Sequence, residues 1–146
     1  MIKFNYIMDG IITDIETLRK TSSPVTMQEV KDLGLRKSNR TAWTEGCGLA
    51  AIQIGVPVRF AWFVFQGKEE ILMNPEIIRK KGFRTHKDES CLSIPDLWID
   101  TGRFHYIEYR SDGRLRKAHN LKAIIIQHEI DHMDGVLITD RRCEPC

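Results

Sequence analysis

The pattern of apolar and polar positions predicts a buried helix near the end of the chain. When successive residues are turned by about 100°, one side carries six residues: Leu121, Ile124, Ile125, His128, Glu129 and His132. The opposite side carries Ile126, Ile130 and Met133, and only a narrow stripe is polar: Gln127, Asp131 and Asp134. A helix that is apolar on two sides is buried in a core. We expect Asn120 to cap its start and Gly135 to follow its end.

Elsewhere the pattern predicts short strands. Apolar or alternating segments occur at 58–65, 70–74, 76–79, 104–110 and 114–117. Turns are predicted at 66–68 and 111–113, and one helix is predicted from 26 to about 43, with Gly34 interrupting it. Several strands with one early and one late helix indicate an α+β domain. We therefore expect one domain over residues 1–146, with mostly antiparallel sheet wrapped around the late helix.

Composition is that of an ordinary globular enzyme. The chain has 146 residues, 22 basic and 20 acidic side chains, a net charge of +2 and 42% hydrophobic residues. This balance gives no basic excess that would indicate nucleic acid. No apolar run approaches the roughly 18 residues of a membrane span, and the first residues lack a signal peptide. We expect a cytoplasmic protein with reduced cysteines, in which the terminal Cys143-x-x-Cys146 pair is a frayed tail.

His128 and His132 form a candidate metal site. Residues four apart lie one helical turn apart on the same face, so two imidazoles at this spacing can hold one metal ion. Glu129 lies next to them. Burying these three side chains without partners is unfavourable, and a bound cation satisfies all of them. The alternative is that both histidines are hydrogen-bonded core residues.

A catalytic metal of this kind usually has three protein ligands, so the histidine pair is incomplete. The extended His-Glu-x-x-His pattern places a third histidine six residues after the second, where this chain has Ile138. The acidic residues downstream are Asp134, Asp140 and Glu144, and too little chain remains for a second helix to present them. Cys91, upstream, is the best candidate because thiolate is a strong ligand for zinc or ferrous iron. The alternative for Cys91 is a small buried hydrophobic residue.

Three motifs resemble those of the peptide deformylase family. The segment 46–53 resembles its G-x-G-L-A-A-x-Q motif, and 127–135 resembles Q-H-E-x-D-H-x-x-G. The segment 89–93 resembles E-G-C-L-S, with Ser90 in place of the glycine. The motifs occur in the family's order, and the resemblance covers most of the chain up to Asp140. The chain ends soon after the predicted helix, as in short phage-encoded members, so we expect a minimal active form.

The resemblance implies an activity and a set of roles. It implies removal of the formyl group from N-formyl-methionine of nascent polypeptides, with release of formate. It implies Fe²⁺ as cofactor, with Zn²⁺, Ni²⁺ or Co²⁺ able to substitute. The implied metal ligands are Cys91, His128 and His132, and Glu129 is the implied general base and acid. Gln53 and the backbone N–H of Leu92 are the implied donors to the oxyanion.

The resemblance also implies a setting for this reaction. The ribosome becomes the expected working location, and the protein is expected to be a monomer with neither nucleic-acid nor membrane partners. The expected location is the bacterial cytoplasm, or the host cytoplasm for a phage-encoded protein. Location in an organelle is also compatible with the resemblance.

Substrate recognition is predicted at two places. The segments around Gly46, Cys47, Gly48 and Ser90 are suited to hold a peptide as an added strand, which reads main chain rather than sequence. Leu121, Ile124 and Ile125 precede His128 on its helix face and could form an apolar methionine pocket, although each is equally compatible with a core role. Asp131 is expected to pair with Arg103 and anchor the helix.

Two other functions are compatible with the same residues. A general His-Glu-x-x-His metallopeptidase would activate water in the same way, but the absence of a downstream ligand argues against it. A deformylase-like protein could instead bind nascent chains or the ribosome without turnover. Glu129 and Gln53 argue against this second alternative, because a binding protein needs no general base. Formate release from a formylated peptide discriminates among the three.

Overall fold

The computed structural model describes residues 10–35 and 48–143. Its helices are α1 (Ile15–Leu18), α2 (Met27–Asp32) and α3 (Asn120–Met133), with short 3-10 helices at Ala51–Ile54 and Ile138–Arg141. Its strands are β1 (Gly48–Ala50), β2 (Phe60–Phe65), β3 (Lys68–Met73), β4 (Glu76–Cys91), β5 (Ile94–Ser111) and β6 (Arg114–His119). The strands form two three-stranded sheets, β1-β2-β3 and β4-β5-β6, in which every neighbouring pair is antiparallel. The predicted α+β class with antiparallel sheets is confirmed.

Two tight turns fix the strand register. Gln66 and Gly67 have φ of 52° and 73°, and Asp112 and Gly113 have φ of 50° and 73°. Positive φ at both central residues is the requirement of a type I′ hairpin, whose twist matches that of the strands. Both turn predictions are therefore confirmed.

The second sheet is much longer than the sequence pattern predicted. The predicted strand at 76–79 is only the start of β4, and the predicted strand at 104–110 is only part of β5. Residues 79–84 are all exposed, so this part of β4 shows no alternation of burial. Pairing with β5 along nearly its whole length forms this strand, and such non-local pairing leaves no local signal.

The early helix is shorter than predicted. α2 ends at Asp32, and Gly34 adopts φ of 69°. Glycine adopts this left-handed conformation without strain, and a residue in this conformation cannot continue a right-handed helix. Gly34 therefore ends the helix instead of interrupting it. The remainder of the predicted helix, from residue 36 to 43, lies outside the described residues.

α3 packs between the two sheets. One buried cluster joins first-sheet residues (Ala50, Phe63, Leu72), second-sheet residues (Ile107, Tyr109, Ala118) and helix residues (Ile126, Ile130, Met133). Gly135 follows the helix with φ of 73°, as predicted. The predicted cap Asn120 is instead the first helical residue, with φ of 50°, and His119 occupies the cap position without a side-chain hydrogen bond. The helix is thus fixed mainly by its two apolar sides.

No helix within the described residues is long and apolar enough to span a membrane.

The cysteines differ from the expectation that all are reduced. Cys91 is free and buried, but Cys143 is disulfide-bonded. The chain before it is held along β5, because the Cys143 N–H donates to the Asp100 carbonyl and Arg142 forms a bridge with Thr101. The tail as far as Cys143 is therefore fixed rather than frayed. Cys146 lies outside the described residues.

Candidate active site

Cys91, His128 and His132 converge in the interior. The rings of His128 and His132 have centroids 5.0 Å apart, and Cys91 Sγ lies 3.4 Å from His132 Nε2. One ligand atom from each residue lies within 4.8 Å of the other two. A tetrahedral zinc with bonds of about 2.0–2.3 Å needs comparable separations between its ligands. The donor set of one thiolate and two imidazoles also suits a divalent transition metal, so the residues fit a metal ion.

The strand geometry explains how Cys91 reaches the helix. Cys91 ends β4, and Leu92 and Ser93 form the connection to β5, where Cys91 pairs with Ile94. Side chains alternate between the faces of a strand. Glu89 and Cys91 are accordingly buried, whereas Ser90 between them is exposed. Both buried side chains point toward α3.

Glu89 orients the first histidine. Its Oε2 lies 2.8 Å from Nδ1 of His128, which leaves Nε2 of that ring for a metal. Glu89 also accepts hydrogen bonds from Thr101 and Arg103. Burial raises the pKa of Glu89, but the bonds from His128 and Arg103 outweigh this effect and hold the pKa far below its usual range. Glu89 was not among the predicted site residues, although its position two residues before Cys91 places both on one strand face.

A buried chain of charges connects Glu89 to the helix. Arg103 Nη1 lies 2.6 Å from Asp131 Oδ2, so the predicted pairing of Arg103 with Asp131 is confirmed. Arg141, from the 3-10 helix after α3, binds the same carboxylate at 2.9 Å and 3.0 Å. Arg103 is 2% exposed, so its buried charge would be unfavourable without these carboxylate partners. The network joins β4, β5 and α3 next to the candidate metal ligands.

Glu89→Gln is expected to weaken metal binding by about 10- to 100-fold, the range typical of outer-shell partners of a ligating histidine. The substitution keeps the side-chain shape but removes the charge that orients His128. Chelator competition on reloaded protein measures the affinity, and Glu76→Gln, on an exposed position of the same strand, is the matched control. Equal affinities in the two variants would exclude the orienting role.

Glu129 lies beside the ligands with its carboxylate enclosed. The residue is 3% exposed, and Oε1 has no hydrogen-bond partner among the described residues. A Cβ on Gly48 would overlap this carboxylate, so only glycine at this position leaves room for it. Burial raises the pKa of Glu129 to about 7. A carboxylate with this pKa is suited to accept and return a proton near neutral pH.

Gln53 is fixed in one orientation. It lies in the 3-10 helix after β1 and is 1% exposed. Its Oε1 accepts a hydrogen bond from the Ala50 N–H at 2.9 Å. The amide nitrogen is therefore directed toward Ser93 Oγ at 3.0 Å and Cys91 Sγ at 3.9 Å. The structure thus presents a side-chain N–H donor next to the candidate metal ligand Cys91.

A cavity of about 220 Å³ opens onto this site. Its lining includes six of the predicted site residues: Gly48, Gln53, Ser90, Cys91, Leu92 and His128. It also includes five residues that were not among the predicted site residues: Ile94, Pro95, Asp96, Leu97 and Trp98. Gly46 and Cys47 lie outside the described residues. The cavity gives a substrate access to the ligands from the Cys91 turn.

The predicted methionine-pocket residues do not line this cavity. Leu121 is 48% exposed, and Ile124 is buried at 4% exposure. Ile125 packs in the cluster between the sheets, which is a structural role. Their contact with a methionine side chain stays a prediction.

Together, the buried thiol and imidazole side chains that could hold a metal ion, the enclosed carboxylate and the adjoining cavity are the features of a metal-dependent hydrolase site. The chain belongs to the polypeptide deformylase family, whose family model matches residues 9–145. It removes the formyl group from the N-terminal formyl-methionine of nascent polypeptides.

Relatives and solved structures agree with this assignment. The chain is 33% identical over 145 residues to a peptide deformylase from Dictyoglomus thermophilum, an alignment that covers 89% of this chain and 94% of that protein. It is 35% identical over 145 residues to one from Rhizobium meliloti, covering 89% and 82%. The crystal structure of the Thermotoga maritima peptide deformylase matches with a TM-score of 0.76 at 30% identity, covering 88% of this chain and 92% of that one.

Proposed function

We propose that the chain hydrolyses the formamide bond at a metal ion held by Cys91, His128 and His132. The single observation that carries this proposal is the convergence of these three side chains within 4.8 Å, beside the enclosed carboxylate of Glu129. A bound divalent metal lowers the pKa of its water to about 7 and polarises a carbonyl oxygen. The other requirements of the reaction fall on residues of the chain.

Glu129 is proposed as the proton carrier. It takes a proton from the attacking water and returns it to the departing amine nitrogen as the C–N bond breaks. The products are formate and a peptide with a free N-terminus. Two observations support this role: the carboxylate lacks a hydrogen-bond partner at Oε1 among the described residues, and burial holds its pKa near 7.

Gln53 and the backbone N–H of Leu92 are proposed to stabilise the oxyanion. As water adds to the formyl carbon, negative charge develops on the carbonyl oxygen, and fixed donors stabilise it more than they stabilise the ground state. The Gln53 amide is held by Ala50, so no reorientation is needed during the reaction. Leu92 lines the cavity directly after Cys91.

Gln53→Glu is expected to lower kcat by about 10²- to 10³-fold, the loss typical of one oxyanion donor. The variant keeps the oxygen that accepts from the Ala50 N–H but replaces the donor with a carboxylate that repels the developing charge. Steady-state formate release measures kcat, with Gln66→Glu at an exposed hairpin position as the control. A kcat equal to that of the control would remove Gln53 from the oxyanion site.

Fe²⁺ is the proposed metal, with Zn²⁺, Ni²⁺ or Co²⁺ able to occupy the same ligands. One thiolate with two imidazoles accommodates any of these borderline cations, and the family resemblance favours iron.

The peptide is proposed to lie as an added strand beside Gly48 and Ser90, two residues that line the cavity. Gly46 and Cys47 are proposed to extend this contact.

We propose one catalytic domain over residues 1–146, acting as a cytoplasmic monomer at the ribosome. The family match over residues 9–145 supports a single domain, and a substrate that is a nascent chain supports the ribosomal location.

Formate release from formyl-Met-Ala-Ser after anaerobic loading with Fe²⁺ tests the proposed function. We expect stoichiometric formate and free Met-Ala-Ser, with no product from metal-free protein. The unblocked peptide is the control substrate. Cleavage of an internal bond without formate would indicate a metallopeptidase. Binding of the formyl peptide without any product would indicate a protein that holds nascent chains.

A further inference from the structure

An irregular segment at the start of β5 forms one wall of the catalytic cavity. Cys91 pairs with Ile94 and Glu89 pairs with Ile99. The four residues 95–98 therefore stand opposite the single residue Ser90. In a regular strand alternate side chains would point away from the cavity, but a bulge re-aims them. All four residues of this bulge line the cavity, and Asp96 has φ of 62°.

Trp98 is the largest side chain of this bulge and is unusually exposed. Its exposed fraction is 62%, and it has no aromatic or cation–π partner within the described part of the chain. Phe83 is similarly exposed at 54% but packs edge-on against Phe104. Exposed tryptophans on a concave surface are characteristic of binding sites, because the rigid ring buries a large area on contact.

Asp96 gives the same wall a negative charge. It is exposed, and it forms no salt bridge with any residue in 10–35 or 48–143. Leu97 and Ile94 supply the apolar surface beside it. The cavity therefore offers an apolar ring and an uncompensated carboxylate to whatever lies between the bulge and Ser90.

We propose that the bulge formed by residues 95–98 selects substrates by the side chains that follow the formyl-methionine. Trp98 packs against apolar or aromatic side chains there, and Asp96 favours lysine or arginine over acidic residues. An added-strand contact reads only main chain, so this wall supplies sequence preference. The inference rests on the proposed function, because it assumes that the peptide occupies the cavity beside Cys91.

The Trp98 contact is tested with formyl-Met-Ala-Phe, formyl-Met-Ala-Gly and the shorter formyl-Met-Ala. Trp98→Ala is expected to raise KM for the phenylalanine peptide by about 3- to 10-fold, the range for one aromatic contact, with kcat unchanged. KM for the two smaller substrates should change little, and Trp98→Phe should restore most of the loss. Phe83→Ala, which removes a similarly exposed ring outside this cavity, is the control.

The Asp96 contact is tested with formyl-Met-Ala-Lys and formyl-Met-Ala-Glu. The unmodified protein should favour the lysine peptide in kcat/KM by about 2- to 5-fold, as expected for an exposed charge pair. Asp96→Asn should abolish this preference, as should high salt. Asp112→Asn, at the distant β5–β6 turn, should leave it intact.

The outcomes separate this inference from the proposed function. If both proteins release formate and each peptide has the same KM with Trp98→Ala as with the unmodified protein, the Trp98 contact is overturned. The proposed hydrolysis would remain intact. A lysine preference that survives in Asp96→Asn would overturn the role of Asp96. An absence of formate from all substrates would instead refute the proposed function itself.

Discussion

Glu129→Gln is expected to lower kcat for formate release by about 10²- to 10⁴-fold, the usual contribution of a positioned general base, while metal content stays unchanged. Glutamine has nearly the same shape, so it fits the space that Gly48 leaves for the carboxylate. It cannot take a proton from water or return one to the amine. The loss should therefore appear in kcat, with KM for the peptide little altered.

Metal analysis and steady-state formate release on the same preparation measure the two quantities. Glu16→Gln, an exposed substitution on α1, is the matched control for the loss of one negative charge. A variant with full metal content and undiminished kcat would show that Glu129 is not the proton carrier. A variant without metal would instead assign the buried carboxylate to metal retention.

The helix α3 could be predicted because the sequence features that indicate it are local. Two apolar sides and a spacing of four between His128 and His132 are properties of adjacent turns, and the structure preserves both. The third candidate ligand could be predicted for a different reason. Few residues upstream combine strong metal affinity with a position before a turn, and Cys91 is one of them. The position of Glu89 on the same face as Cys91 follows from the alternation of side chains along a strand. This inference requires that β4 first be identified as a strand.

The second sheet could not be predicted to its full length because pairing between distant residues forms it. The exposed residues 79–84 carry no alternation, and only β5 keeps them extended. The bulge at residues 95–98 depends in the same way on how Ile94 and Ile99 pair with β4. Trp98 was not part of any predicted strand, and its place in the cavity emerged only from this pairing register.

Arg141 shows a related limit. Nothing near it in sequence indicates that it binds Asp131, because the contact needs the chain to turn after Gly135 and return beside α3. The pairing of Arg103 with Asp131 was predictable from the polar stripe of the helix, whose charge required a buried partner. The binding of Arg141 to the same carboxylate was not predictable, although it completes the network that holds Glu89 toward His128.

Cys91→Ala is expected to weaken metal binding by more than about 100-fold, beyond the range for loss of an outer-shell partner, and to reduce formate release to background at ordinary metal concentrations. Removing the thiolate leaves only two imidazoles, which satisfy half of a tetrahedral site. The substitution removes a single sulfur from a side chain that is 6% exposed, so the metal-free variant should remain folded, which circular dichroism checks.

Metal content after dialysis, together with the thiolate-to-metal absorption of the cobalt-loaded protein, measures this loss. Ser90→Ala is the matched control, because it truncates the adjacent side chain, which is exposed on the other face of β4; that variant should retain metal and the absorption band. Unchanged metal content in Cys91→Ala would remove the thiolate from the site. The histidine pair would then have to be completed by another group, and the convergence of β4 with α3 would lose its proposed chemical role.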